Sequence, residues 1–163
     1  MNFESMLNSN ENQENKILKE EMIVRLGSEL HNEWRETRKQ EDGSYDPRIK
    51  TTKDEEWVKE NGKNEVDIAN TSFEDLPKDW QGENRIAAEV AIEEVFKATD
   101  ANRELDEEFI EDASNIIHEK WLERNGEWAP EEQKKSYAEL SEEEKDKDRA
   151  QVKKAIEIFQ EKR

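Results

Sequence analysis

Parts of this chain are written twice, and that limits its possible folds more than any other feature. His31-Asn32-Glu33-Trp34 returns as His118-Glu119-Lys120-Trp121. Each is followed by a Gly-x-aromatic-x-Pro turn, Gly43-Ser44-Tyr45-Asp46-Pro47 and then Gly126-Glu127-Trp128-Ala129-Pro130. A third block, Ser72-Phe73-Glu74-Asp75-Leu76, aligns with Ser136-Tyr137-Ala138-Glu139-Leu140. Continued without a gap, it sets Asn84-Arg85 on Asp148-Arg149 and Ala91-Ile92-Glu93 on Ala155-Ile156-Glu157. Three blocks in one order read as a diverged duplication, so the expected fold is one small unit built twice.

The apolar spacing makes the unit helical. Ile23, Leu26, Leu30 and Trp34 recur at helical intervals and place a first helix at about residues 16–40. Phe109, Ala113, Ile116, Ile117 and Trp121 give its counterpart. A third helix is expected over Glu83–Ala98, with Ile86, Val90 and Phe96 among its apolar positions. Ser141-Glu142-Glu143-Glu144 has the form of a capping box and opens a helix that buries Val152, Ala155, Ile156 and Phe159. Pro77 holds the matching place in the first copy and suits a first helical turn. The expected fold is mainly α, with two pseudo-symmetric helix–turn or short hairpin–helix units packed together. In domain terms, residues 1–16 form a disordered or frayed tail and 17–99 a first repeat with an insert at 48–70. Residues 100–108 are a linker and 109–163 a second repeat. Within the insert, Thr52, then Asp54 to Lys59, then Gly62 read as one short capped helix.

Composition decides which functions such units could serve. In 163 residues there are 26 Lys+Arg against 44 Asp+Glu, a net charge of −18, with 43% charged and 31% hydrophobic residues. Direct nucleic-acid binding needs clustered Lys and Arg, and this balance excludes it. The absence of cysteine removes disulfides, thiol catalysis and zinc-thiolate sites. No stretch approaches the ~20 apolar residues of a membrane helix, and no signal-like pattern is legible, so a cytoplasmic location with no membrane partner is expected. Gly-rich phosphate loops, His-Glu-x-x-His and Gly-x-Ser-x-Gly are also missing. No enzyme, catalytic residue, metal or cofactor is expected. Asp100, Asn102, Glu104 and Glu111 have calcium-loop spacing, but Leu105 stands where the loop needs glycine.

The second copy resembles the ryanodine-receptor (RyR) repeat domain, a small module of those channels and of some bacterial and phage proteins. The similar residues are His118-x-x-Trp121, Tyr137-x-x-Leu140, Glu144-Lys145 and Asp148-Arg149. The first copy is similar through His31, Trp34, Phe73, Leu76 and Arg85 but lacks the Glu-Lys pair. Ser136 stands where the family usually has proline. The resemblance covers about two-thirds of the chain. It implies a mainly helical module arranged as a pair, with ligand or partner binding in place of a common catalytic activity.

The residues that could carry binding are His31, Trp34, Arg38, Tyr45, Arg48, His118, Trp121, Arg124, Trp128 and Tyr137. Each histidine lies three residues before a tryptophan on one helix face, either as a polar clamp or as a half-buried ring that fixes its tryptophan. The aromatic residues could line a stacking cleft or simply build the core. The arginines could grip phosphate through their bidentate fork or pair with the excess carboxylates. Arg85 and Arg149 occupy matching positions, which points to a shared structural role. Two functions follow. One is a non-enzymatic acidic protein that occupies a basic surface of a partner. Its carboxylates would mimic nucleic acid, as in phage inhibitors of nucleic-acid-binding host defence proteins. The other is an RyR-like module that captures a small nucleotide-derived ligand.

Overall fold

The computed structural model describes residues 3–161, with side chains from Asn12 onward. The chain is mainly α. Five helices, α1 (Phe3–Glu36), α2 (Glu55–Asn61), α3 (Lys78–Asp100), α4 (Glu107–Asn125) and α5 (Glu142–Glu161), accompany two short strands, β1 (Ile49–Thr51) and β2 (Glu65–Asp67). Single 3-10 turns occupy Phe73–Asp75, Glu131–Gln133 and Tyr137–Glu139. The expected tail largely differs from this. α1 already runs from Phe3, while Met1 and Asn2 lie outside the described residues. From Asn12 to Ile17 every side chain is exposed, so this stretch continues an anchored helix without burying anything.

The chain divides into two compact units. One comprises the chain up to Arg25 and from Ala88 onward, the other Leu26–Ala87. The divisions fall inside α1 and α3, not in the expected 100–108 linker.

In the Leu26–Ala87 unit the core is Leu26, Val66, Ala69, Phe73 and Leu76, closed by the buried polar residues His31 and Thr52. The expected insert folds as a stapled β–α–β excursion. β1 and β2 are antiparallel, with Ile49 opposite Asp67 and Thr51 opposite Glu65. Between them α2 is capped by Asp54, whose side chain accepts from Trp57 N, and stops at Gly62 in the left-handed region at φ 72°. The expected short capped helix is present, with Asp54 as the N-cap. Thr52 instead donates to Asp79 Oδ1 at 2.7 Å and accepts from Asp54 N. One carboxylate opens two helices, because Asp54 Oδ2 also accepts from Lys78 N at the start of α3. The Gly-x-Tyr-x-Pro segment is a tight hairpin. Lys39 pairs with Tyr45, and Gly43 turns the chain at φ 89°, a conformation open to glycine at little cost.

The other unit packs α4 on α5. Phe109, Ala113 and Ile117 of α4 are buried, as are Val152, Ala155, Ile156, Ile158 and Phe159 of α5. In α3, Ala88, Ala91, Ile92, Val95 and Ala98 are buried, whereas Ile86 is 38% exposed and Val90 and Phe96 are only half-buried. The small residues Ala88, Ala91 and Ala98 therefore share the buried face with Ile92 and Val95. Phe96 still contributes by meeting Phe159 edge-on at 5.3 Å. α3 ends where Asn102 adopts φ 55° and Arg103 N reaches back to Ala98 O. Ser141 Oγ accepts from Glu144 N to open α5, but the Glu144 carboxylate turns to Lys147 at 3.0 Å and does not complete the box.

Gly27 gives a test of packing. A Cβ there would lie 2.8 Å from Cζ of the buried Phe73 and within 3.3 Å of two further ring atoms. Gly27→Ala gains about 1 kcal/mol of helix propensity but forces a core ring to move, at about 1–3 kcal/mol. Urea unfolding should show a net loss, partly recovered when Phe73→Leu is added.

Candidate functional site

The repeated motifs carry the same local geometry in each unit. His31 Nε2 lies 2.8 Å from Thr71 O, and His118 Nε2 lies 2.7 Å from Lys135 O, the carbonyl one residue before the aligned serine in both cases. A carbonyl only accepts, so each Nε2 carries the proton. Each ring then stacks on its tryptophan, His31 on Trp34 at 5.8 Å and His118 on Trp121 at 6.1 Å. The segment pinned by each bond enters a 3-10 turn with nearly identical backbone angles, Ser72 at φ −68°, ψ 155° and Ser136 at φ −62°, ψ 157°. The aromatic residue that follows, Phe73 or Tyr137, is buried.

The ten sequence-derived binding residues fall into two groups. His31, Trp34, Arg38, Tyr45 and Arg48 belong to the Leu26–Ala87 unit, and His118, Trp121, Arg124, Trp128 and Tyr137 to the other. In the first group most of the polar capacity, that of Arg38 and Tyr45, is taken up internally. Arg38 donates to Asp46 O, Asp46 Oδ2 and Pro47 O at 2.9–3.1 Å and lies over Trp34. Tyr45 donates to Glu36 Oε1, and Arg35 covers its ring at 4.5 Å. Arg35, which periodicity did not single out, also donates from Nε to Ala69 O at 2.7 Å and so ties the end of α1 to the chain after β2. Arg48 is exposed, and its backbone N–H donates to Asp67 Oδ1.

In the second group Tyr137 belongs to the interior, with its hydroxyl donating to Glu111 Oε2. Burial, aided by that carboxylate, pushes its phenol up to about 12. Arg149 fastens the same corner by contacting Glu111, Glu142 and Asp146. These hydrogen bonds raise the Arg149 pKa and hold Glu111 below the usual carboxylate range. Arg124 donates to Lys120 O on its own helix. Trp128 meets Trp121 edge-on at 6.1 Å and is 69% exposed.

Beside Trp121 lies a small cavity of about 170 Å³ lined by His118, Gln133, Leu140, Glu144, Lys147, Asp148 and Gln151. Asp148 Oδ2 is 3.8 Å from His118 Nδ1, too far for a hydrogen bond. Burial, reinforced by Glu144 and opposed by Lys147, lifts the Asp148 carboxyl to about 7. Gln151 Oε1 is enclosed without a hydrogen-bond partner. Sequence reasoning missed this pair, and the available signal was the contrast with Asn84 and Ala87 at the aligned positions of the first copy.

A second, larger concavity is built by the insert. About 730 Å³ in volume, it is bordered by Asp54, Glu56, Glu60, Asp67, Glu74 and Asp75 against Lys63 and Lys78. Trp57 forms part of its wall, held by an Nε1 donation to Asp75 O at 2.9 Å. Hydrogen bonds from Lys78 N and Trp57 N keep Asp54 ionised well below the usual carboxylate range.

Among the described residues no group of His, Asp and Glu is placed to hold a metal ion, and no helix is long and apolar enough to cross a membrane. Compared with known proteins, the chain matches no family model, no curated protein and no solved structure.

Two predictions follow from the histidines and from Asp148. His31→Phe and His118→Phe keep the ring but orphan a carbonyl, and each should cost about 1–3 kcal/mol in urea unfolding. Asp148, at about 7 in the fold and about 3.9 unfolded, keeps a proton in the native state that the unfolded chain releases. Its contribution is therefore present at low pH and lost as pH rises from about 4 to 7. Burial lowers the His31 pKa and acts with the opposite sign, so its contribution is lost as pH falls below about 6.5. Asp148→Asn should remove the downward slope between pH 4 and 7 in a series of denaturant melts.

Proposed function

We propose that this is a non-enzymatic binding protein that occupies a basic surface of a partner protein, with the acidic concavity of the insert as its principal contact. The carrying observation is that concavity, in which Glu56, Glu60, Glu74 and Asp75 border an open space of about 730 Å³ beside Trp57. A net charge of −18 supports the reading, because a long-range negative field steers a basic partner toward the protein. The partner class is a protein whose own ligand is a phosphate backbone, with carboxylates standing in for phosphates. The RyR resemblance is compatible with a binding role of this kind. It also offers the reading of a module for a nucleotide-derived ligand. Against that, the Arg38 and Arg149 guanidinium groups, the most evident phosphate donors, are engaged with the protein's own carbonyls and carboxylates.

The test is a fluorescence-anisotropy titration of a labelled Lys/Arg-rich peptide with the full chain. Binding at 50 mM NaCl should weaken about tenfold or more at 500 mM as charge is screened. The combined Glu56→Gln, Glu60→Gln and Glu74→Gln variant should weaken it similarly at low salt. Affinity indifferent to salt, or unchanged in that variant, would overturn the proposal.

A further inference from the structure

We infer that His118, Asp148 and Gln151 form a binding site for one ammonium or guanidinium group. The site is distinct from the insert concavity and stands independently of it. Three observations carry it.

The first is the acceptor set. His118 Nε2 donates to Lys135 O, which leaves Nδ1 on the side of Asp148. Asp148 presents a carboxylate oxygen 3.8 Å away, and its side chain is only 14% exposed. Gln151 Oε1 is enclosed and unpartnered, one turn along α5 on the same face. Buried acceptors are ordinarily satisfied, and the unpartnered Gln151 Oε1 beside the buried Asp148 carboxyl calls for a group that has N–H donors and no acceptor.

The second is size. About 170 Å³ holds a charged head and a short stem, whereas pockets for larger organic ligands run to about 300–1,000 Å³. Trp121 supplies an aromatic wall, which suits a cation.

The third is charge. Among the described residues lining the space, the one lysine, Lys147, is paired with Glu144 at 3.0 Å, so an anionic ligand would meet Asp148 with no unpaired lysine or arginine to receive it. A bound cation favours ionised Asp148. Facing that carboxyl are Glu144 and Lys147 on its own helix and His118 on α4. With Asp148 near 7, affinity should rise about tenfold from pH 6 to pH 8. The aligned positions in the first copy, Asn84 and Ala87, carry neither the carboxylate nor the amide, so the site belongs to the second copy alone.

The experiment is an NMR titration of the full chain with n-butylammonium and ethylguanidinium chloride, with butanol and sodium butyrate as controls. The readouts are the Asp148 carboxyl carbon, the His118 ring and the Trp121 indole. The expected result is saturable shifts with either cation at pH 8, about tenfold weaker binding at pH 6, and a lowered Asp148 pKa in the complex. Asp148→Asn should abolish binding while its spectrum stays dispersed. Gln151→Leu, which keeps the carboxylate, should weaken binding severalfold. No saturable shift at pH 8, equal shifts with butanol or butyrate, or unchanged binding in Asp148→Asn would each overturn the proposal. A Lys/Arg-rich peptide that shifts the same signals identifies the cation as a side chain of a partner. Shifts with the small cations alone identify it as a free amine or guanidine. The triple glutamine variant of the insert should leave these shifts unchanged, which separates failure of this site from failure of the concavity.

Discussion

A buried histidine that donates to one backbone carbonyl is the contact on which each repeated motif depends. The ring is fixed at Nε2 by Thr71 O or Lys135 O and supported on its face by Trp34 or Trp121. The chain therefore enters the next turn at a set angle. That turn drops Phe73 or Tyr137 into the interior, and the leucine after it, Leu76 or Leu140, is buried as the chain turns into the next long helix. A side chain with no donor would leave the carbonyl orphaned, and a lysine would bring a charge that burial opposes. Histidine supplies a neutral donor on a flat body that stacks, so the pattern His-x-x-Trp is a physical specification as much as a motif.

The acidity that dominates the composition is partly structural. Asp54 and Asp106 cap α2 and α4, Asp67 organises the turn after β2, and Asp79 receives Thr52 and Lys53 N. Glu111 and Glu142 hold Arg149. These carboxylates meet their donors at short range and are satisfied. Glu56 and Glu60, which also border the insert concavity, cap nothing, and on the proposed reading they are charges offered to a partner.

Much of this fold was legible because the duplication marked the residues in contact. Aligning Ser72 with Ser136 placed the two carbonyls that the histidines find, and Gly62 and the Asp54 region announced α2. Ile86, Val90 and Phe96 are among the apolar positions of α3 legible in the sequence, but they do not assign its buried face, which runs through Ala88, Ala91, Ile92, Val95 and Ala98. An alanine is as compatible with a buried face as with an exposed one, so a single sequence does not say which α3 alanines lie inside. The strands were too short to alternate visibly. Asp148 was noticed only as part of a repeated motif, and its pairing with Gln151 was missed for another reason. In a helix as charged as α5 an acid and an amide three apart are unremarkable, and only the cavity they share distinguishes them. Arg35 was passed over because its partner, Ala69 O, lies far along the chain and leaves no trace in spacing.

The single carboxylate of Asp54 opens α2 from inside the insert and α3 from outside it. An excursion from the basic repeat would normally be the most expendable part of the molecule, free to lengthen, shorten or unravel by itself. Here the first turn of α3 borrows its cap from that excursion. Loosening the excursion would therefore also uncap α3, which couples the insert to the helix that follows it.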